Sequence, residues 1–70
     1  MEAEMQMTME EVYKEIENWS VGRRETFQLD EVPSEVLVWG VNERLKRARP
    51  DVQFILGRDG TLLTVECKAP

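Results

Sequence analysis

TFQLDEVPSEVLVWGVNERLKRARPDVQFILGRDGTLLTVEC, residues 26–67, is the stretch whose reading decides the fold. Polar and apolar residues alternate from Glu25 to Leu29, with Phe27 and Leu29 on one side, which predicts a short strand. Asp30 is a candidate helix cap, and Pro33 then falls in the first turn, where a missing N–H costs little. Val32, Val36 and Leu37 are expected to face inward at helical spacing. Trp39-Gly40 interrupts the segment, because glycine inside a helix costs about 1 kcal/mol relative to alanine. A second helical segment has Val41, Leu45 and Ala48 on its buried side and Asn42, Arg44, Lys46 and Arg47 largely outside. Arg49-Pro50-Asp51 stops it. Val52, Phe54 and Leu56 then alternate with Gln53 and Ile55, Gly57-Arg58-Asp59-Gly60 supplies a turn, and Thr61 to Cys67 returns as a second strand. Asp59-Gly60 is the dipeptide favoured where two successive residues take positive φ.

Upstream of this stretch, Thr8 is a natural N-cap, and Glu11 three residues later completes a capping box. Met7 and Val12 stand where a hydrophobic staple would. Met9, Val12, Tyr13, Ile16 and Trp19 recur at three- and four-residue spacing and give a helix one apolar face. Glu10, Glu11, Lys14, Glu15 and Glu17 cover its other side. Ser20-Val21-Gly22 ends the helix, with Gly22 suited to a left-handed cap. The expected organisation is an acidic, flexible arm over residues 1–7 and a single domain over 8–70.

Composition narrows the function. Hydrophobic residues make up 41% of the chain and charged residues 33%, a globular balance with material for one small core. The net charge is −5, but it is unevenly spread. Residues 1–20 hold six glutamates against Lys14 alone, whereas residues 43–58 carry Arg44, Lys46, Arg47, Arg49 and Arg58 against Glu43 and Asp51. The longest apolar run, Val36 to Trp39, is far too short for a membrane span. An acidic N-terminus and a lone cysteine point to a reducing, cytoplasmic setting. The chain has no histidine to serve as a base near neutral pH, and Cys67 lacks a partner to activate it. Gly57-Arg58-Asp59-Gly60 lacks the phosphate-loop spacing. Catalysis, a metal site, a cofactor and a small-molecule substrate are therefore not expected.

The order helix, strand, helix, helix, strand, strand resembles the winged helix-turn-helix family. FQLDEV is similar to the strand leading into that family's second helix, GVNERLKRA to its recognition helix, and VQFILGRDGTLLTV to its wing. The stretch Leu37-Val38-Trp39-Gly40 is about two residues shorter than the family's turn. The resemblance implies an α+β winged-helix-like domain (α-β-α-α-β-β) that binds duplex DNA as a regulatory or accessory factor. Asn42 and Arg44 would then read bases, Lys46, Arg47 and Arg49 would pair with phosphates, and Arg58 would reach a neighbouring minor groove or the backbone from the wing. The alternative fold is a split β-α-β-β layer with an extra N-terminal helix, in which residues 31–48 form one helix.

A second function class rests on the first helix. Met9, Val12, Ile16 and Trp19 with Glu10, Glu15 and Glu17 are the candidate interface of an adaptor or inhibitor, or of a homodimer formed through that helix. Charge reversal separates the classes: DNA binding would fail at Arg44 and Arg47, protein binding at the glutamates.

Overall fold

The computed structural model describes residues 6–70; the expected acidic arm falls mostly on residues 1–5, outside the described residues. The described residues form an α+β unit of two helices and one three-stranded antiparallel sheet: α1 (Met9–Ile16), β1 (Arg24–Gln28), α2 (Glu35–Ala48), β2 (Gln53–Asp59) and β3 (Leu62–Lys68). Among the described residues, no helix is long and apolar enough to cross a membrane.

α1 starts as its capping box requires. Thr8 accepts from the Glu11 amide at 3.1 Å, and the Glu11 carboxylate accepts from the Thr8 amide at 2.9 Å. The helix ends at Ile16, three residues short of Trp19, and Gly22 is not its cap. Gly22 instead takes a φ of 101° in the turn before β1, where its amide donates to the Cys67 carbonyl at 2.8 Å. Met7, expected in the arm, is bonded into the structure: its amide donates to Gln28 and its carbonyl accepts from Asp30.

β3 lies between β1 and β2, so the first strand pairs with the last. Phe27 stands opposite Leu63, and Phe54 opposite Cys67. Phe27, Leu63, Val65, Cys67 and Phe54 are all buried and form the sheet side of the core. Alternate positions face solvent, where Thr26 and Thr64 pair through their hydroxyls at 3.0 Å. Met9, Val12, Ile16, Trp19, Leu29, Val41 and Leu45 complete the core, which holds no buried charged side chain among the described residues. The hairpin turns on Gly60 and Thr61, because Asp59 pairs with Leu62. Only Gly60 takes positive φ there, at 62°, so the expected pair of positive-φ residues is replaced by a glycine at the first central position.

α2 corrects the largest expectation. Ser34, not Asp30, caps it, accepting from the Leu37 amide at 3.1 Å. From Glu35 to Ala48 the helix is continuous through Gly40, so the order is α-β-α-β-β, with one helix where α-β-α-α-β-β needs two. This element order is that of the split layer with an extra N-terminal helix. A single helix keeps Val38, Val41 and Leu45 on one stripe against the sheet, which a turn at Gly40 would divide. Continuity also fixes the rotation of the helix, because Val41 and Leu45 inward carry Val36 outside, while Val32 lies before the helix. Val32, Val36 and Leu37, expected inward, are exposed, and so is Ala48, which lies past the last inward position at Leu45.

Candidate protein-interaction surface

On a helix, successive side chains are about 100° apart, so four apolar residues in a row point in nearly every direction. In Val36-Leu37-Val38-Trp39, only Val38 points toward the core. The other three are left outside, with Val36 78%, Trp39 64% and Leu37 47% exposed, and Val32 just before the helix is 61% exposed. Val36, Trp39, Gly40, Glu43 and Arg47 fall within an arc of roughly 100° on the side opposite Val41 and Leu45. Val32, Val36, Leu37 and Trp39 thus leave apolar side chains exposed around one short segment.

Grooves flank the outward side of α2. One, of about 610 Å³, runs between α2 and the start of α1 and is lined by Met9, Leu29, Pro33, Val36, Leu37 and Gly40 among others. The other, of about 520 Å³, lies between α2 and β2, where Val38, Trp39, Phe54, Ile55 and Leu56 contribute. Gly40 forms part of the first groove's wall, and a Cβ placed there would meet nothing within 4 Å. No contact among the described residues requires glycine at this position.

The six residues expected to contact nucleic acid are mostly engaged within the chain. Arg44 forms a two-point ion pair with Glu10, at 2.8 and 3.3 Å, and its guanidinium lies 4.1 Å from the centre of the Tyr13 ring. The hydrogen bonds from Arg44 hold the Glu10 carboxyl below the usual range, and Glu10 in turn raises Arg44. Lys46 pairs with Glu43 at 3.3 Å. Arg49 donates to both Asp51 oxygens at 3.0 Å, and to the carbonyls of Glu17 at 2.6 Å and Trp19 at 3.0 Å. Its hydrogen bonds push the Asp51 carboxyl down. Arg58 donates to the Pro33 carbonyl at 2.6 Å and pairs with Glu35 at 3.5 Å. Asn42 is half-buried beside β2, and Arg47 makes no ion pair among the described residues. The sequence cluster is therefore dispersed: Arg44 faces α1, Arg49 the end of α1, and Arg58 the start of α2.

The α1 interface set is divided in a similar way. Met9, Val12, Ile16 and Trp19 are core residues, the ordinary role of an apolar helix stripe, and offer no free apolar face, which corrects only their candidacy as an interface. Glu15 is exposed, Glu10 is exposed but paired, and Glu17 is half-buried. Cys67 is fully buried in β3, and burial pushes its thiol up, away from the reactive thiolate. Among the described residues, no three His, Cys, Asp or Glu side chains gather into a metal site.

Val36 and Leu37 were expected inward and Trp39-Gly40 as a break in the helix, whereas Val36, Leu37 and Trp39 stand exposed on a continuous helix. Their signal was present: an unbroken apolar run inside a helix exceeds what one inward stripe can bury. Comparison with protein-family models, with curated proteins and with solved structures finds no match for this chain.

Proposed function

We propose that this chain is a non-catalytic protein-interaction module whose contact surface is the outward side of the N-terminal half of α2. The observation that carries the reading is the exposure of Val32, Val36, Leu37 and Trp39 around one short helical segment. Tryptophan is among the residue types that most often dominate binding energy at protein contacts. The grooves on either side of Trp39 and Val36 supply concave walls for a partner's side chains. A photo-cross-linking residue at position 39, expressed in the chain's native cells, tests this. A polypeptide adduct at 39, with none at the exposed α1 position 14, is the expected result. A folded protein that gives no adduct at 39 would rule the module out.

Nucleic-acid binding, with the winged-helix resemblance behind it, is the second reading, and Arg47 favours it. This side chain is exposed and has no ion pair among the described residues, and the neighbouring pairs of Arg44 and Lys46 are solvent-exposed enough for phosphate to compete. Four phosphate contacts would give a log–log salt slope of roughly −3.6 on a mixed-sequence duplex. An Arg44→Glu/Arg47→Glu protein would flatten it. Wild type that does not bind at low salt removes this reading and leaves the first intact.

A further inference from the structure

We infer that the partner on this surface is a second copy of the chain, whose α2 lies antiparallel across the first with Trp39 of each copy over Gly40 of the other. The inference rests on the proposed interaction module and names its partner.

Gly40 is the starting point. It sits in the middle of a fourteen-residue helix, on the outward side, with helical rather than positive φ. Among the described residues nothing within 4 Å would oppose a side chain there, so neither backbone conformation nor packing among them explains it. A helix surface without a Cβ lets another element approach closely, and the distance between paired helices depends on the side chains at their contact. The site also carries its own filler: Trp39 is 64% exposed on the adjoining position of the same side. A two-fold axis passing between positions 39 and 40 lays each indole into the space left by the other copy's glycine. Such an interface is self-complementary, as two-fold contacts must be.

Charge along α2 selects the direction. Asp30, Glu31 and Glu35 stand at its N-terminal end, and Lys46 and Arg47 at its C-terminal end. Parallel pairing would set like charges together. Antiparallel pairing about positions 39 and 40 brings the C-terminal end of one α2, with Arg47, to the N-terminal end of the other, near Glu31. Arg47, which has no ion pair among the described residues, then gains a carboxylate partner, and Val36 is covered near Glu43 of the other copy. A chain of this length has a small core, and pairing would add apolar burial that the single copy lacks.

Sedimentation equilibrium on the full chain over a wide concentration range tests the inference. Wild type is expected to approach twice the 8.2 kDa chain mass. Gly40→Leu should weaken dimerisation by at least about tenfold, the loss expected of a change at the centre of an interface. Its thermal unfolding should be unimpaired when dilute, because the site is open and leucine favours helix. That combination excludes simple misfolding. Arg47→Glu should weaken the dimer, and adding Glu31→Arg should restore it. Wild type that stays monomeric throughout overturns the inference, as does a dimer indifferent to both Gly40→Leu and Trp39→Ala. If the purified chain is monomeric while position 39 still cross-links to a different polypeptide, the second copy is excluded and the interaction module stands. If there is neither a dimer nor an adduct, both fall.

Discussion

Arg44 and Glu10 join α2 to α1 across 34 positions of sequence, with Nη1–Oε1 at 2.8 Å and Nη2–Oε2 at 3.3 Å. The guanidinium rests on the Tyr13 ring, so one side chain contacts two residues of α1. A residue that looks like a base reader in the sequence is a clamp between helices in the fold.

That clamp makes stability depend on pH. The Glu10 carboxyl is held below its ordinary value by the hydrogen bonds from Arg44. A depressed carboxyl contributes stability above its unfolded pKa, about 4.3 for glutamate, and loses it as pH falls through the folded value. Glu10→Gln should therefore melt below wild type at pH 7, with the gap closing on acidification through that range. Because the pair is exposed, the gap is expected to be small. Melting curves of both proteins from pH 7 to about pH 3 check this, and a gap that does not change with pH would refute it.

Arg49 should matter more than Arg44. It donates to the carbonyls of Glu17 and Trp19 just past the end of α1, while also holding Asp51. Removing it leaves backbone acceptors without these partners. In thermal melts, Arg49→Ala should lower the midpoint further than Arg44→Ala. Arg49→Lys should recover only part of the loss, since a compact ammonium lacks the planar fork that serves carbonyl and carboxylate together.

The tryptophans should separate cleanly. Trp19 is 4% exposed and stacks on Phe27 at 5.9 Å, so Trp19→Ala should cost about 3–5 kcal/mol by urea denaturation. Trp39→Ala, measured at dilute concentration, should stay within about 0.5 kcal/mol. The Trp19 indole N–H is buried and has no hydrogen-bond partner among the described residues. Trp19→Phe removes that orphaned donor along with some packing, and should therefore cost much less than Trp19→Ala.

Gly40→Ala offers the simplest test of the continuous helix. With open space at the Cβ position and helical backbone on both sides, alanine should stabilise the dilute chain by up to about 1 kcal/mol. A loss of stability would instead mean that the chain turns at Gly40.

Local signals were legible where they were self-contained. The Thr8–Glu11 capping box needs only four residues of sequence, and it formed as read. The strand alternation around Phe27 and Phe54 likewise placed the sheet side of the core. The start of α2 was not legible, because Asp30 and Ser34 are both good caps and the choice is made elsewhere. The Leu29 amide is bonded to Thr61 at 2.7 Å and the Asp30 amide to Met7 at 3.1 Å, which hold Asp30 where the chain bends away from the sheet and leave the cap to Ser34. The basic cluster misled for a related reason. Arg44 finds its carboxylate 34 positions away at Glu10, and Arg49 and Arg58, besides their carboxylates Asp51 and Glu35, reach backbone carbonyls 32 and 25 positions away, contacts about which local charge balance carries no information.

The central place of β3 also sets the order in which the chain can fold during synthesis. Among the three strands, β1 has β3 as its only neighbour, and its Arg24 to Gln28 must wait for Leu62 to Glu66. Until those residues leave the ribosome, Phe27 and the apolar face of α1 have no finished sheet to bury against. Pairing elements this far apart carries a loop-closure cost before any contact rewards it. A nascent chain stopped before residue 62 should therefore remain sensitive to protease along its whole length, and protection should arrive in one step once β3 has emerged.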